Sequence, residues 1–299
     1  MSARSRWAVT AALLAAVIVP SAAPAAPRVI ASAGLPADAA HDAAWQQFFM
    51  SLPHGPEIDS LTVLLAPPDE VTRRCGRGAD GCYRGLLRQM VIPGITGPDD
   101  AYVADIARHE YGHHLAAQSD NAPFDPSLGT KRWFTHERIC QRLRSGELSG
   151  SGSARYEVSA AEGFAEAYRV AAGGNSHLWI VDPVLFPGPA ARRAILADVR
   201  HPWTGEREQR FSGRLTRGRP QRTFSMRVPL DGTVRAEATG SAGLRLALTL
   251  ADRSGVVARS RGSGRRAGLR TVDCGRRVLR LTVRAARGAG RFTVTARRP

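Results

Sequence analysis

Lysine is all but missing from this chain of 299 residues: Lys131 is the one lysine among 42 basic side chains, and the rest are arginine. Alanine, glycine and proline are abundant, a skew that high-GC coding produces. The formal charge of +16 is therefore weak ground for a nucleic-acid partner, and no specific one is expected. Long apolar runs are missing beyond residue 26; none approaches the roughly 18 residues that a membrane span requires. No cysteine stands near the end of the N-terminal apolar segment, which excludes a lipid-anchored start. Disorder is excluded too, because 43% hydrophobic and 23% charged residues describe a chain that can bury a core.

What is present begins with a leader. Arg4 and Arg6 precede an apolar run from Trp7 to Val19, and Ala23-Pro24-Ala25 supplies small residues for cleavage. Residues 1–26 thus read as a secretory signal and the mature protein as exported. In an oxidising compartment the four cysteines, Cys75, Cys82, Cys140 and Cys274, read as two disulfides rather than metal ligands. Cys75 and Cys82 enclose six residues beside Gly76, Gly78 and Gly81, which suits a short stapled loop. Cys140 with Cys274 would then tie the early part of the chain to the late part, although four cysteines allow three connectivities.

Charge divides the chain. Before residue 206 there are 19 basic and 20 acidic side chains; from 206 onward there are 23 and 6. The expected organisation is an α+β domain over 27–205 followed by an all-β sandwich over 206–299. In the first part, Leu61–Leu65 and Gln89–Ile92 read as buried strands ended by prolines. A helix is expected from about Asp100 to Gln118, with Ala104, Ala107, Tyr111 and Leu115 on its core face. Further helices are expected from Trp133 to Leu143 and from Ala160 to Ala172.

The sharpest chemical signal lies on the first of those helices: His109-Glu110-Tyr111-Gly112-His113. Histidines four apart put two imidazoles on one side of a helix, close enough to share one zinc ion, and the adjacent Glu can serve as general base toward water. A catalytic zinc needs a third protein ligand. Position 119 is Ser where a metzincin has histidine, and position 133 is Trp where a thermolysin-like enzyme carries its glutamate. Farther along, Glu162 and Glu166 lie one turn apart on the helix that buries Ala161, Phe164, Tyr168 and Ala171. One carboxylate can bind metal while the other orients a ligating histidine. His114 points about 100° away from His113 and is expected to pack or hydrogen-bond. His136 and Glu137 have no spacing rule behind them and are read as structural, and Asp120 lacks the context of an aspartate ligand.

With H-E-Y-G-H at 109–113 and E-G-F-A-E-A-Y-R at 162–169, the first domain resembles zinc metallopeptidases of the lethal-factor-like kind, gluzincins with a long gap between their metal helices. The resemblance implies a zincin-like fold, one Zn2+, Glu162 as third ligand beside His109 and His113, and Glu166 in support. It implies Glu110 as general base and a protein or peptide substrate. An oxyanion-stabilising tyrosine stands seven residues before the ligand glutamate in that family; here Tyr156 stands six before. The family's bulky aromatic after the ligand glutamate is Gly163. On architecture alone, Met90–Ile92 is expected to be the sheet edge to which an extended substrate adds.

From residue 206 the pattern changes to short alternating runs such as Leu244–Leu250 and Val278–Val283, with arginine at the outward positions. This part resembles the pre-peptidase C-terminal sandwich of secreted bacterial peptidases. The expected function is that of a secreted zinc endopeptidase. A catalytically silent zincin scaffold stands as one alternative. The other is a protein that binds cell envelope or anionic polysaccharide through the basic 206–299 domain.

Overall fold

A computed structural model describes residues 26–150, 156–177, 185 and 187–299. The secretory signal, apart from Ala26, lies outside the described residues.

The first half is built around a four-stranded sheet. Strands β1 (Arg28–Ala31), β2 (Thr62–Ala66) and β4 (Gln89–Pro93) run parallel, and β3 (Cys82–Arg84) pairs antiparallel with β4, giving the order β1-β2-β4-β3. The central strands are apolar at successive positions because both faces are covered. Val63, Leu65, Met90 and Ile92 face the main core with Trp45 and Phe49 of helix α1 (Ala39–Ser51). Leu64, Ala66 and Val91 face the other way, against Val71 of helix α2 (Pro68–Cys75). The architectural expectation about the sheet edge is corrected here: Met90–Ile92 lies inside the sheet, between β2 and β3, and the edge is β3. A three-residue strand bounded by a disulfide and two glycines leaves little hydrophobic pattern to read.

Helix α3 (Ala101–Gln118) starts where Asp100 accepts the backbone N–H groups of Tyr102 and Val103, at 3.0 and 3.3 Å. It is buried on nearly every side, since Ala104, Ala107, Tyr111 and Leu115 meet the core while His109 and Glu110 are covered as well. The helix expected over Trp133–Leu143 is two, α4 (Lys131–His136) and α5 (Ile139–Ser145), separated where Arg138 adopts a left-handed φ of 56°. Helix α6 (Ala160–Ala171) is capped by Ser159, and α7 (Pro189–Arg200) closes the layer. Gly112 is what lets α3 and α6 touch: a Cβ there would stand 2.8 Å from the Ala165 Cα and 3.1 Å from its carbonyl oxygen.

From residue 207 the chain forms eight strands: β5 (Arg207–Leu215), β6 (Gln221–Val228), β7 (Gly232–Gly240), β8 (Arg245–Ala251), β9 (Val256–Arg259), β10 (Arg266–Asp273), β11 (Arg277–Arg287) and β12 (Gly290–Arg298). They make two antiparallel sheets, β10-β7-β12-β5 and β6-β11-β8-β9, around a separate core that includes Leu246, Leu248, Leu281, Val283 and Phe292. Alternation is strict enough that Leu279, Leu281 and Val283 are buried while Arg280 and Arg284 are exposed. The result is a β-sandwich with arginine-studded outer faces.

Two disulfides hold the assembly. Cys75–Cys82 fastens α2 to the edge strand, and Cys140–Cys274 fastens α5 to the loop after β10. Around the second, the Asp231 backbone N–H donates to Thr135 Oγ1 at 2.9 Å. The only lysine is buried there: Lys131 Nζ donates to the Ala122 carbonyl at 2.6 Å and lies 4.3 Å from the centre of the Trp203 ring.

Candidate metal centre

Two helices crossing at Gly112 bring three donor atoms together. His109 Nε2, His113 Nε2 and Glu162 Oε2 form a triangle with every side 3.2 Å. Two imidazole nitrogens and a carboxylate oxygen are a donor set for zinc. Bond lengths of about 2.0–2.1 Å to a tetrahedral ion put neighbouring ligand atoms about 3.3–3.4 Å apart, so the spacing of the three donor atoms would suit such an ion. Among the described residues, His109, His113 and Glu162 form the one group of three such side chains able to hold a metal ion.

The triangle rests on a buried charged network. Glu166 Oε1 accepts from His109 Nδ1 at 2.9 Å, which orients the ring and turns Nε2 toward the other two donor atoms. Arg169, fully buried, donates to both Glu166 oxygens at 3.2 and 2.9 Å and to Asp105 Oδ2 at 3.0 Å. Asp105 also accepts from Arg108 at 2.9 Å and from the Asn175 backbone at 3.0 Å. Every carboxylate is thus paired or hydrogen-bonded, as burial requires.

Titration behaviour follows from these contacts. Burial pulls the His109 pKa down, yet the hydrogen bonds to Glu162 and Glu166 outweigh it and push the group up to about 10. Burial raises Glu162, but hydrogen bonds from His109 and His113 hold it well below the usual carboxylate range. Glu166 is likewise held down, by His109 and Arg169 against burial. The site is therefore anionic enough to retain a proton on His109, and the same field attracts a cation. Glu110 differs: burial raises its pKa, with the imidazoles and a hydrogen bond from the Tyr83 backbone N–H opposing. Tyr156, though 43% exposed, is raised by desolvation of its hydroxyl and by the Glu162 charge.

A cleft of about 430 Å³ opens beside the triangle, lined by Gly81, Tyr83, Glu110, His113, Tyr156 and Glu162 among others. The edge strand β3 forms one wall. Gly81 presses so closely that an added Cβ would stand 2.7 Å from Ile106 and 3.4 Å from Glu110. Across α6, the space beside Gly163 is taken by Leu185, whose Cδ1 would lie 2.4 Å from an added Cβ.

The other histidines and acids fall outside the triangle. His114 is fully buried and hydrogen-bonded to the Tyr83 hydroxyl at 3.0 Å and the Glu57 carbonyl at 2.9 Å. His136 and Glu137 approach each other at 3.7 Å, and Asp120 caps its own turn through Ala122 N at 2.8 Å. Sequence reasoning overlooked Arg169, Asp105 and Tyr83. The first two had a signal: Arg169 follows Glu166 by three residues and Asp105 precedes His109 by four, the spacings that share a helix face. Tyr83 had none.

No family model matches this chain, and no curated protein is similar to it. Among solved structures, the pre-peptidase C-terminal domain of a collagenase from Bacillus anthracis is similar at 14% identity and a TM-score of 0.28, over 30% of this chain and 88% of that one. No described helix is long and apolar enough to cross a membrane.

Proposed function

We propose that the chain is an exported zinc-dependent endopeptidase of the gluzincin type, its zincin-like domain carrying the chemistry and its sandwich an accessory role. The observation that supports this most directly is the equilateral 3.2 Å triangle of His109, His113 and Glu162 with Glu110 beside it on the same helix. Zinc, when bound, supplies a Lewis acid that polarises a carbonyl and lowers the pKa of water to about 7.

The chain's own residues do the rest. Glu110, its pKa raised by burial, is placed to take a proton from attacking water and carry it to the departing nitrogen. Tyr156, a phenol that carries its proton at neutral pH, lines the cleft, from which it can donate to the developing oxyanion. Glu166 and Arg169 hold the His109 ring in one orientation. The exposed edge of β3 offers backbone donors and acceptors to an extended peptide.

Metal analysis of wild type beside Glu162→Ala and Glu137→Ala, with a peptide-library digest of each, tests the reading. Wild type and Glu137→Ala should carry one zinc and cleave, and Glu162→Ala should do neither. Zinc without cleavage by wild type would favour the silent-scaffold alternative instead, and zinc retained by Glu162→Ala would remove the third ligand.

A further inference from the structure

A second, larger concavity shares no residue with the metal cleft. It is a groove of about 980 Å³ between α4 and α7 on one side and the ends of β5, β6 and β11 on the other. That volume is at the upper end of ordinary ligand sites. Every charged side chain lining it is basic: Arg132, Arg193, Arg207, Arg227, Arg276 and Arg277, with His136 and Trp203 among them.

Two of the six arginines are already engaged. Arg132 pairs with Asp198, and Arg277 pairs with Asp273 and Asp252. Arg193, Arg207, Arg227 and Arg276 are exposed and make no ion pair with a described residue. They are nonetheless gathered: the charges of both Arg276 and Arg193 depress the pKa of His136, after burial. Like charges brought together on opposite walls repel, and nothing in the fold requires these four to be there. Cys140–Cys274 ends two residues before Arg276, so a covalent bond holds the two walls in register. Guanidinium forks match carboxylate and sulfate groups in a bidentate way.

We propose that this groove binds a linear anionic polysaccharide and thereby holds the protein at its place of action. Three features favour that ligand. The charged lining is wholly basic and its arginines stand on both walls, where carboxylates or sulfates repeated along a sugar chain can meet them in turn. Trp203 and His136 are the aromatic rings in the lining and one face of Trp203 meets Lys131, so the lining does not offer the row of aromatics on which successive bases stack. The groove is concave and enclosed by two walls, a shape that admits one extended chain.

Binding of the full chain to polygalacturonate, measured by calorimetry from about 50 to 200 mM salt, tests the proposal. Wild type is compared with Arg193→Ala/Arg227→Ala/Arg276→Ala and with Arg259→Ala/Arg261→Ala/Arg266→Ala, three exposed arginines elsewhere on the sandwich. The groove variant should bind about tenfold or more weakly at low salt and lose affinity less steeply with added salt. The control variant should change less than about threefold, and peptide cleavage should be unaltered in both. Equal losses in the two variants would reduce the effect to diffuse charge and overturn the proposal, as would no binding by wild type. Tighter binding of duplex DNA or polyglutamate through the same arginines would overturn it in favour of a nucleic acid or an acidic protein.

Discussion

His109 and Glu166 meet across 2.9 Å, imidazole Nδ1 to carboxylate Oε1, from two helices 57 residues apart in sequence. Glu166 is buried and satisfied on its other side by Arg169. The metal triangle is thus braced from behind by charge as well as packing. Glu166→Ala should weaken zinc binding about 10- to 100-fold, as losing a partner of a ligating histidine generally does. Glu166→Gln, which can still accept from Nδ1, should lose less. Chelator competition on the two variants measures the difference, and equal losses would contradict an orienting role.

Arg169→Met removes the positive centre between Asp105 and Glu166. Asp105 keeps Arg108 and Glu166 keeps His109, but both lose the buried guanidinium, so the cost should approach without reaching about 3–5 kcal/mol, that of a buried pair broken outright. Chemical denaturation should show a lower midpoint for the zinc-free protein, where the metal cannot mask the loss.

Glu110→Gln keeps the side chain's shape and removes its basicity. Peptide cleavage should fall by about 10² to 10⁴ while zinc content stays at one ion, since Glu110 is outside the triangle. Paired metal and turnover assays separate that outcome from a folding defect.

Gly112→Ala puts a methyl group against the backbone of Ala165, where no flexible side chain can yield. The helices bearing the histidines and Glu162 must then separate by some tenths of an ångström or more. Loss of zinc affinity should accompany a stability loss of about 1–3 kcal/mol, the usual range for overpacking. Gly163→Ala meets only the movable tip of Leu185 and should be milder.

Asp231 supplies a pH test at the junction. Burial lifts its pKa from 3.8 to about 6, with the Gly275 N–H and Lys131 opposing. Between those values the folded chain keeps a proton that the unfolded chain has released, so its contribution to stability declines as pH rises from about 4 to 6 and does not return. Asp231→Asn should remove that decline, worth of order 2–3 kcal/mol. Urea midpoints of both proteins at acid and neutral pH report it, and parallel pH profiles would show that Asp231 is not the source.

Much of the local structure was legible because its causes are local. The His109–His113 spacing, the Asp100 cap, the alternation in β8 and β11 and the two apolar strands all act within a few residues. The short edge strand β3 was not legible, because it exists only by pairing with β4, and the αL break at Arg138 carries no glycine to announce it. The depth of the network was also hidden, although the spacings of Asp105 and Arg169 were there to be used.

By itself the sequence determined which side chains have the spacing of a metal site, which half of the chain is basic and where the helices and strands of regular period lie. Only the tertiary structure decided that Glu162, the acid the resemblance implies, comes within 3.2 Å of His113, since a 49-residue gap leaves that distance to the packing of α3 on α6 at Gly112. It also decided what the scarcity of lysine left open. The arginines of several separate segments converge on one groove because the Cys140–Cys274 disulfide and the Asp231–Thr135 hydrogen bond fix the sandwich against α4 and α5, and charge along a chain has no direction until a fold gives it one.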